Sequence, residues 1–129
     1  MNTDPLLKKL QIPDGATGGV FHAPDPDLIR APALEDWSLG DLEFVIVFVP
    51  DPKEIRERAP KAIATLKEDG ILWFVYPKKT GSISTDISRD HGWEPANQLG
   101  FSGVRQVAID ANWSALRFRE ERFIKRKEG

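Results

Sequence analysis

The fold turns on Phe44-Val45-Ile46-Val47-Phe48-Val49-Pro50-Asp51-Pro52-Lys53-Glu54 and on a second apolar run, Ile71-Leu72-Trp73-Phe74-Val75-Tyr76. Phe44 to Val49 is apolar at every position and rich in β-branched side chains. A strand apolar on both sides belongs inside a sheet covered on both faces, and such sheets are usually parallel. Asp51 is placed to cap a helix, Pro52 suits its first position, and Glu54 follows three residues after the cap, which satisfies backbone donors at a helix start. The spacing predicts a helix with Ile55, Ala59, Ile63 and Leu66 along one face. Pro60 lacks an N–H and crowds the carbonyl of Arg56, so it should kink that helix; Gly70 should stop it. Ile71 to Tyr76 is then a second buried strand. Strand, helix and strand in roughly 35 residues form a βαβ unit with an expected right-handed crossover.

Outward from that unit the signals are shorter. Leu6 to Leu10 predicts a short helix, with Asp4 as cap and Pro5 at its first position. Thr17 to His22 reads as a strand weakened by Gly18 and Gly19. The following stretch to Gly40 is rich in turn residues, with room for one short helix. After Pro77 and the loop Lys78-Lys79-Thr80-Gly81-Ser82, a helix is expected to start near Ser84 or Thr85 and to be interrupted by Gly92 and Pro95. Val104 to Ile109 reads as a strand, Ala111-Asn112 as a tight turn, and Ser114 to Arg119 as a last strand. There Leu116 and Phe118 alternate with Arg117 and Arg119, which predicts a wet face near an edge. The expected fold is α/β in three layers: a mostly parallel sheet of about five strands, helices on both faces, and a C-terminal antiparallel hairpin.

The chain has 129 residues, a length that suits a single domain over positions 1–129 with a basic tail from about 120. Hydrophobic residues make up 40% and charged residues 29%, a globular balance. The longest clean apolar run is far shorter than the roughly 18 residues of a membrane helix, and no basic-then-apolar leader opens the chain. Zero cysteines exclude disulfide frameworks, thiolate metal sites and Cys nucleophiles. A cytoplasmic location is the expectation. Net charge is −2, unevenly spread: 13 acids and 8 bases precede Ile71, with 7 acids and 10 bases from there on. Arg117 to Gly129 carries 6 of those bases against 3 acids, a run read first as a solvated tail. Nucleic acid is therefore an unlikely general partner, and a membrane is not expected.

Three groups of residues resemble a known pattern. They are Leu72-Trp73 with Tyr76-Pro77-Lys78-Lys79; Thr85-Asp86-Ile87-Ser88-Arg89-Asp90; and Gly100-Phe101 with Asp110-Ala111-Asn112-Trp113-Ser114-Ala115-Leu116-Arg117-Phe118. Together they resemble a family of small bacterial domains of unknown function (domain of unknown function 3052), in which an aromatic-Pro-Lys-Lys loop and an Asp-x-x-Trp-Ser-x-Leu hairpin recur. The resemblance runs from Leu6 to Arg119 and is specific from Leu42 onward. The order of elements is also similar to the class I methyltransferase scaffold, a Rossmann-like fold, with two strands missing. Leu66-Lys67-Glu68-Asp69-Gly70-Ile71-Leu72 is similar to the stretch leading into that scaffold's fifth strand, and the terminal hairpin to its last two. The family implies a fold and no reaction. Methyltransferase chemistry needs a Gly-rich turn after the first strand and an acid after the second. Here the turn is His22-Ala23-Pro24-Asp25-Pro26, and no second strand is evident. The expectation is no cofactor, with S-adenosylmethionine unlikely.

In an open parallel sheet, ligands bind beyond the carboxyl ends of the strands. Three ends can be named: Phe21-His22, Val49 to Asp51, and Tyr76 to Lys79. Lys78 and Lys79 lead toward Ser84 and Thr85, where a helix N-terminus would favour an anion. That loop is a candidate phosphate or carboxylate pocket, although exposed lysines and a capping hydroxyl explain the same residues. It is not a Walker loop, since no glycine precedes Lys79 at the required spacing. His22 is a weak candidate general base, its pKa set by Asp51 or Asp25; a hydrogen-bonded structural histidine accounts for His22, and a helix cap for Asp51. His91 is 69 positions from His22 and beside Asp90, and the two give no metal-ligand spacing. Trp73 belongs to the core. Trp113 is read as hairpin and core, with a ligand-lining role as the alternative. Two functions stay open: a non-catalytic module binding a small anion or a protein partner, which is favoured, and an enzyme acting on an anionic small molecule.

Overall fold

The computed structural model describes residues 5–25, 27–78, 87 and 92–124. In chain order its elements are α1 (Pro5–Lys9), β1 (Gly18–Phe21), β2 (Ala33–Leu34), β3 (Leu42–Phe48), α2 (Pro52–Thr65), β4 (Leu66–Pro77), α3 (Glu94–Asn97), β5 (Phe101–Ala108) and β6 (Trp113–Glu120). The strands form one mixed six-stranded sheet in the order β2-β1-β3-β4-β6-β5. β2, β1, β3 and β4 are parallel; β6 runs antiparallel to both β4 and β5. The α/β architecture, the parallel βαβ centre and the terminal hairpin are as expected from the sequence.

Alternation along β3 and β4 shows why both runs are unbroken in apolarity. Val45, Val47 and Val49 share one face with Leu72, Phe74 and Tyr76, and α2 covers it through Ile55, Ala59 and Ala62. Phe44, Ile46 and Phe48 share the other with Trp73 and Val75, under Leu7 and Leu10 of the N-terminal segment and Trp113 of β6. Each face must be apolar because each is covered, and the helices of the two layers lie on opposite sides. Asp51 caps α2 as expected: its Oδ1 accepts from the Glu54 N–H at 2.9 Å. The helix runs unbroken through the exposed Pro60.

Several local expectations need correction. Gly70 does not stop α2. The helix ends at Thr65, whose buried hydroxyl donates to the Leu39 carbonyl, and Leu66 is already extended. Between the Leu42–Leu66 and Phe44–Ile71 pairs, residues 67–70 bulge out of the ladder, with Asp69 left-handed at φ 53°. The bulge delivers Asp69 to Arg119, which donates to both its carboxylate oxygens at 2.8 Å. The helix expected to start near Ser84 or Thr85 lies outside the described residues; Pro95 sits in the first turn of α3, where its missing N–H costs nothing. The segment from 27 to 40 holds the two-residue strand β2 rather than a helix. The last strand is not wet on one face: β6 lies between β4 and β5, Arg117 is half-buried, and β5 is the edge. Among the described residues no helix is long and apolar enough to cross a membrane.

Candidate functional site

The chain passes from β1 to β2 on one side and then returns to β3 on the other. That reversal places a topological switch point at the carboxyl end of β1, where open α/β sheets bind ligands. A cleft of about 400 Å³ lies beside it, on the β2 side of β1, a size in the range of small-molecule sites. Val20, Ile29, Ala31 and Ala33 give it an apolar wall, and His22, Glu35 and Trp37 line it as well.

Glycines bring its strands together. A methyl group at Gly19 would overlap the Pro32 carbonyl oxygen and stand 2.7 Å from Leu34 Cγ; at Gly18 it would overlap the Phe44 carbonyl. The two residues read from the sequence as weaknesses are therefore what lets β1 lie tightly between β2 and β3. Beyond β1 the indole of Trp37 stacks on Phe21 with ring centroids 3.8 Å apart and planes 7° from parallel. The imidazole of His22 is tilted toward the same indole at 5.9 Å.

His22 holds a left-handed backbone, φ 62°, an uncommon conformation for a residue with a side chain. It thus makes a bend directly after β1, at a backbone angle that glycine takes more readily. The side chain is exposed, yet its pKa lies below the ordinary histidine value. Loss of solvent to the neighbouring protein is the main cause, followed by the Arg58 guanidinium; Glu54 opposes them and Lys61 adds to them. Arg58 is fixed by its bond to the Phe48 carbonyl (2.6 Å) and its ion pair with Glu54 (2.8 Å). A depressed folded-state pKa means that the unfolded chain binds a proton more readily. The stability tied to His22 is present above pH 6.5 and declines as pH falls from there through the folded-state value. Chemical denaturation of wild type and His22→Gln between pH 7.5 and 5 should show a smaller loss of stability in the variant.

The other predicted site residues that the structure describes are dispersed. Asp51 is engaged as the α2 cap. Lys78 follows β4, is half-buried, and donates its backbone N–H to the Asn112 carbonyl at 2.8 Å. Trp113 is buried edge-on against Phe48, ring centroids 5.1 Å apart, and its backbone N–H is capped by Asp110. Lys79, Ser84, Thr85 and His91 lie outside the described residues. Of the predicted residues that the structure describes, His22 lines the cleft beyond β1. Glu35 and Trp37 were missed. They follow a strand of two residues, too short to carry an alternation, although the order apolar pair, acid, acid, aromatic at Ala33 to Trp37 was there to be read.

No protein-family model and no curated protein sequence matches the chain. Solved structures do. A putative type 11 methyltransferase from Sulfolobus solfataricus superposes with a TM-score of 0.54 at 12% identity, over 97% of this chain and 92% of that one. The Thermus thermophilus 16S rRNA N2 G1207 methyltransferase RsmC, in complex with AdoMet and guanosine, gives 0.50 at 13% identity, over 93% of this chain and 40% of its own. A variant of LepI, in complex with SAH and a substrate analogue, gives 0.53 at 11% identity, over 89% and 39%. The chain spans about half the length of other proteins it matches, 45% and 55% for two of them. These likenesses overturn the expectation of no cofactor with S-adenosylmethionine unlikely. Structures bound to AdoMet and SAH share the fold, and the second strand whose absence argued against the cofactor is present as β2, with Glu35 directly after it. The fold of this chain is a methyltransferase-like, Rossmann-type α/β fold.

Proposed function

We propose that the chain is a small-molecule-binding module on a reduced methyltransferase-like scaffold, and that the cleft beyond β1 and β2 takes S-adenosylmethionine or a related adenosine compound. The observation that carries this reading is the lining of the cleft: a carboxylate directly after the second strand, opposite an apolar wall and beside an indole. Glu35 would accept from the ribose hydroxyls, as carboxylates in this position do in dinucleotide folds. Trp37, Ile29 and Ala31 would enclose the base. Bound S-adenosylmethionine supplies a methyl group on a sulfonium, open to attack by a nucleophile. The turn after β1 departs from the usual pattern, because His22 stands where glycine would let backbone approach the ligand. Lys78, on the same carboxyl edge of the sheet, supplies positive charge for a small anion or an acidic group of a partner protein. The resemblance to the small bacterial family of unknown function belongs to this reading.

Calorimetric titration tests it. S-adenosylmethionine, S-adenosylhomocysteine and adenosine should each bind at one site, and methionine should not. A ligand at a hundredfold its Kd should add about 2.7 kcal/mol of stability, readable in a thermal melt. Glu35→Gln should weaken binding about tenfold, the size expected when a charged acceptor of hydrogen bonds is lost. Absence of binding by all three nucleosides at millimolar concentration would overturn the assignment. A second reading, an enzyme, is favoured by His22, an imidazole that lines the cleft and could exchange a proton with a bound ligand. The two differ under His22→Ala. An enzyme loses turnover and keeps ligand; a binding module has no turnover to lose.

A further inference from the structure

The hairpin at the other side of the sheet carries an unbalanced charge. β5 and β6 pair with Arg105 directly opposite Arg117, so two cationic side chains stand side by side on one face, where like charges repel. Among the described residues neither has an ion pair. Among the described residues the carboxylate that acts on Arg117 is Asp69, and it is taken: it receives both of its 2.8 Å bonds from Arg119. Arg117 donates from Nη1 to Gln11 Oε1 at 2.9 Å, and among the described residues its buried Nε has no acceptor. Buried donors are almost always matched, so an unmatched one calls for an explanation. Burial, and the charges of Arg119 and Arg105, also push the Arg117 pKa down against the pull of Asp69.

We propose that Arg105 and Arg117 form a binding site for a phosphate monoester group on the α1 side of the sheet, three strands away from the cleft beyond β1. The charge balance selects the ligand class. A phosphate monoester carries roughly −1.5 to −2 at pH 7 and offers three acceptor oxygens, which matches two guanidinium groups. A carboxylate carries one charge and leaves one arginine uncompensated. Guanidinium also meets phosphate through paired N–H bonds, a geometry that lysine cannot reproduce. Arg105 is exposed on the edge strand and Arg117 is anchored by Gln11, so one partner is fixed and the other is free to close on the ligand. The site depends on nothing proposed for the cleft.

Inorganic phosphate is the probe, titrated by calorimetry and by thermal melt at constant ionic strength, with acetate as the control. Wild type should bind one phosphate and melt higher in its presence, while acetate leaves the melt unchanged. Arg105→Gln should weaken phosphate at least tenfold, and Glu35→Gln should bind phosphate as wild type does. Arg105 is exposed, so its variant should fold, and relief of repulsion should leave its phosphate-free melting temperature equal or higher. The proposal is overturned if wild type binds no phosphate, if acetate matches phosphate, or if Arg105→Gln binds phosphate as tightly as wild type.

Discussion

Replacing Trp73 by alanine is expected to lower the stability of the protein by about 3–5 kcal/mol, the range for deleting a large buried aromatic side chain. Trp73 is fully buried at the centre of β4, between β3 and β6. Its ring fills the face that carries Phe44, Ile46 and Phe48, and its Nε1 donates to the Leu10 carbonyl at 2.9 Å inside the core. The deletion therefore opens a cavity and also strands a buried acceptor that holds the N-terminal segment to the sheet. Against a total of about 5–15 kcal/mol for a domain, such a loss should lower Tm by on the order of 10–20 °C. Trp73→Phe separates the two terms: it keeps most of the apolar contact and loses only the hydrogen bond, at about 1–3 kcal/mol. Urea denaturation of the three proteins measures both differences. Equal stability of wild type and Trp73→Phe would mean that the Leu10 contact holds nothing.

The same residue shows what the sequence could reveal. An apolar side chain at every position from Phe44 to Val49 and from Ile71 to Tyr76 has few physical solutions, and Asp51-Pro52 between them marks a helix start by local backbone chemistry alone. Both signals are short-range or compositional, and the βαβ centre follows from them. Gly70 illustrates the opposite case. Its position after a helical pattern suggests a stop, yet the helix ends five residues earlier, where the Thr65 hydroxyl meets the Leu39 carbonyl, a partner 26 residues away in sequence. Only the tertiary fold supplies that partner. Arg117 and Arg119 likewise alternate with apolar neighbours as if on a solvent-facing side. In the fold one leans on Gln11 and the other on Asp69, contacts spanning 106 and 50 residues.

The site was legible only at its first strand. His22 follows an apolar run and so falls at a strand end, which is enough to place it at the carboxyl edge of the sheet. Glu35 and Trp37 depend on a two-residue strand whose existence is owed to its neighbour, since Ala33 and Leu34 pair with Val20 and Phe21 and have little strand signal of their own. Reading that strand as missing removed the acid that follows it, and with the acid went the case for an adenosine ligand. An edge strand this short is held by the shape of the strand beside it. That dependence points to Gly19.

Gly19→Ala is expected to destabilise the protein by about 1–3 kcal/mol, as forced overpacking does, and to weaken nucleoside binding more than tenfold, although residue 19 does not line the cleft. The added methyl would collide with the Pro32 carbonyl oxygen and approach the Leu34 side chain to 2.7 Å. Backbone cannot rotate away as a side chain can, so β2 must move off β1. The Val20 N–H to Pro32 carbonyl bond, 2.8 Å, lies at that contact and would lengthen with it. Glu35 follows β2 directly, so displacement of the strand carries the carboxylate away from the cleft wall at Val20. Gly40→Ala is the control. Nothing lies within 4 Å of a methyl group there, and removing a glycine's freedom in the unfolded chain should leave stability unchanged or raise it by up to about 1 kcal/mol. Parallel denaturation and calorimetry on the two variants separate a glycine required for close approach from one that is merely present. If Gly19→Ala kept both its stability and its affinity, the tight β1–β2 contact could not be what shapes the cleft.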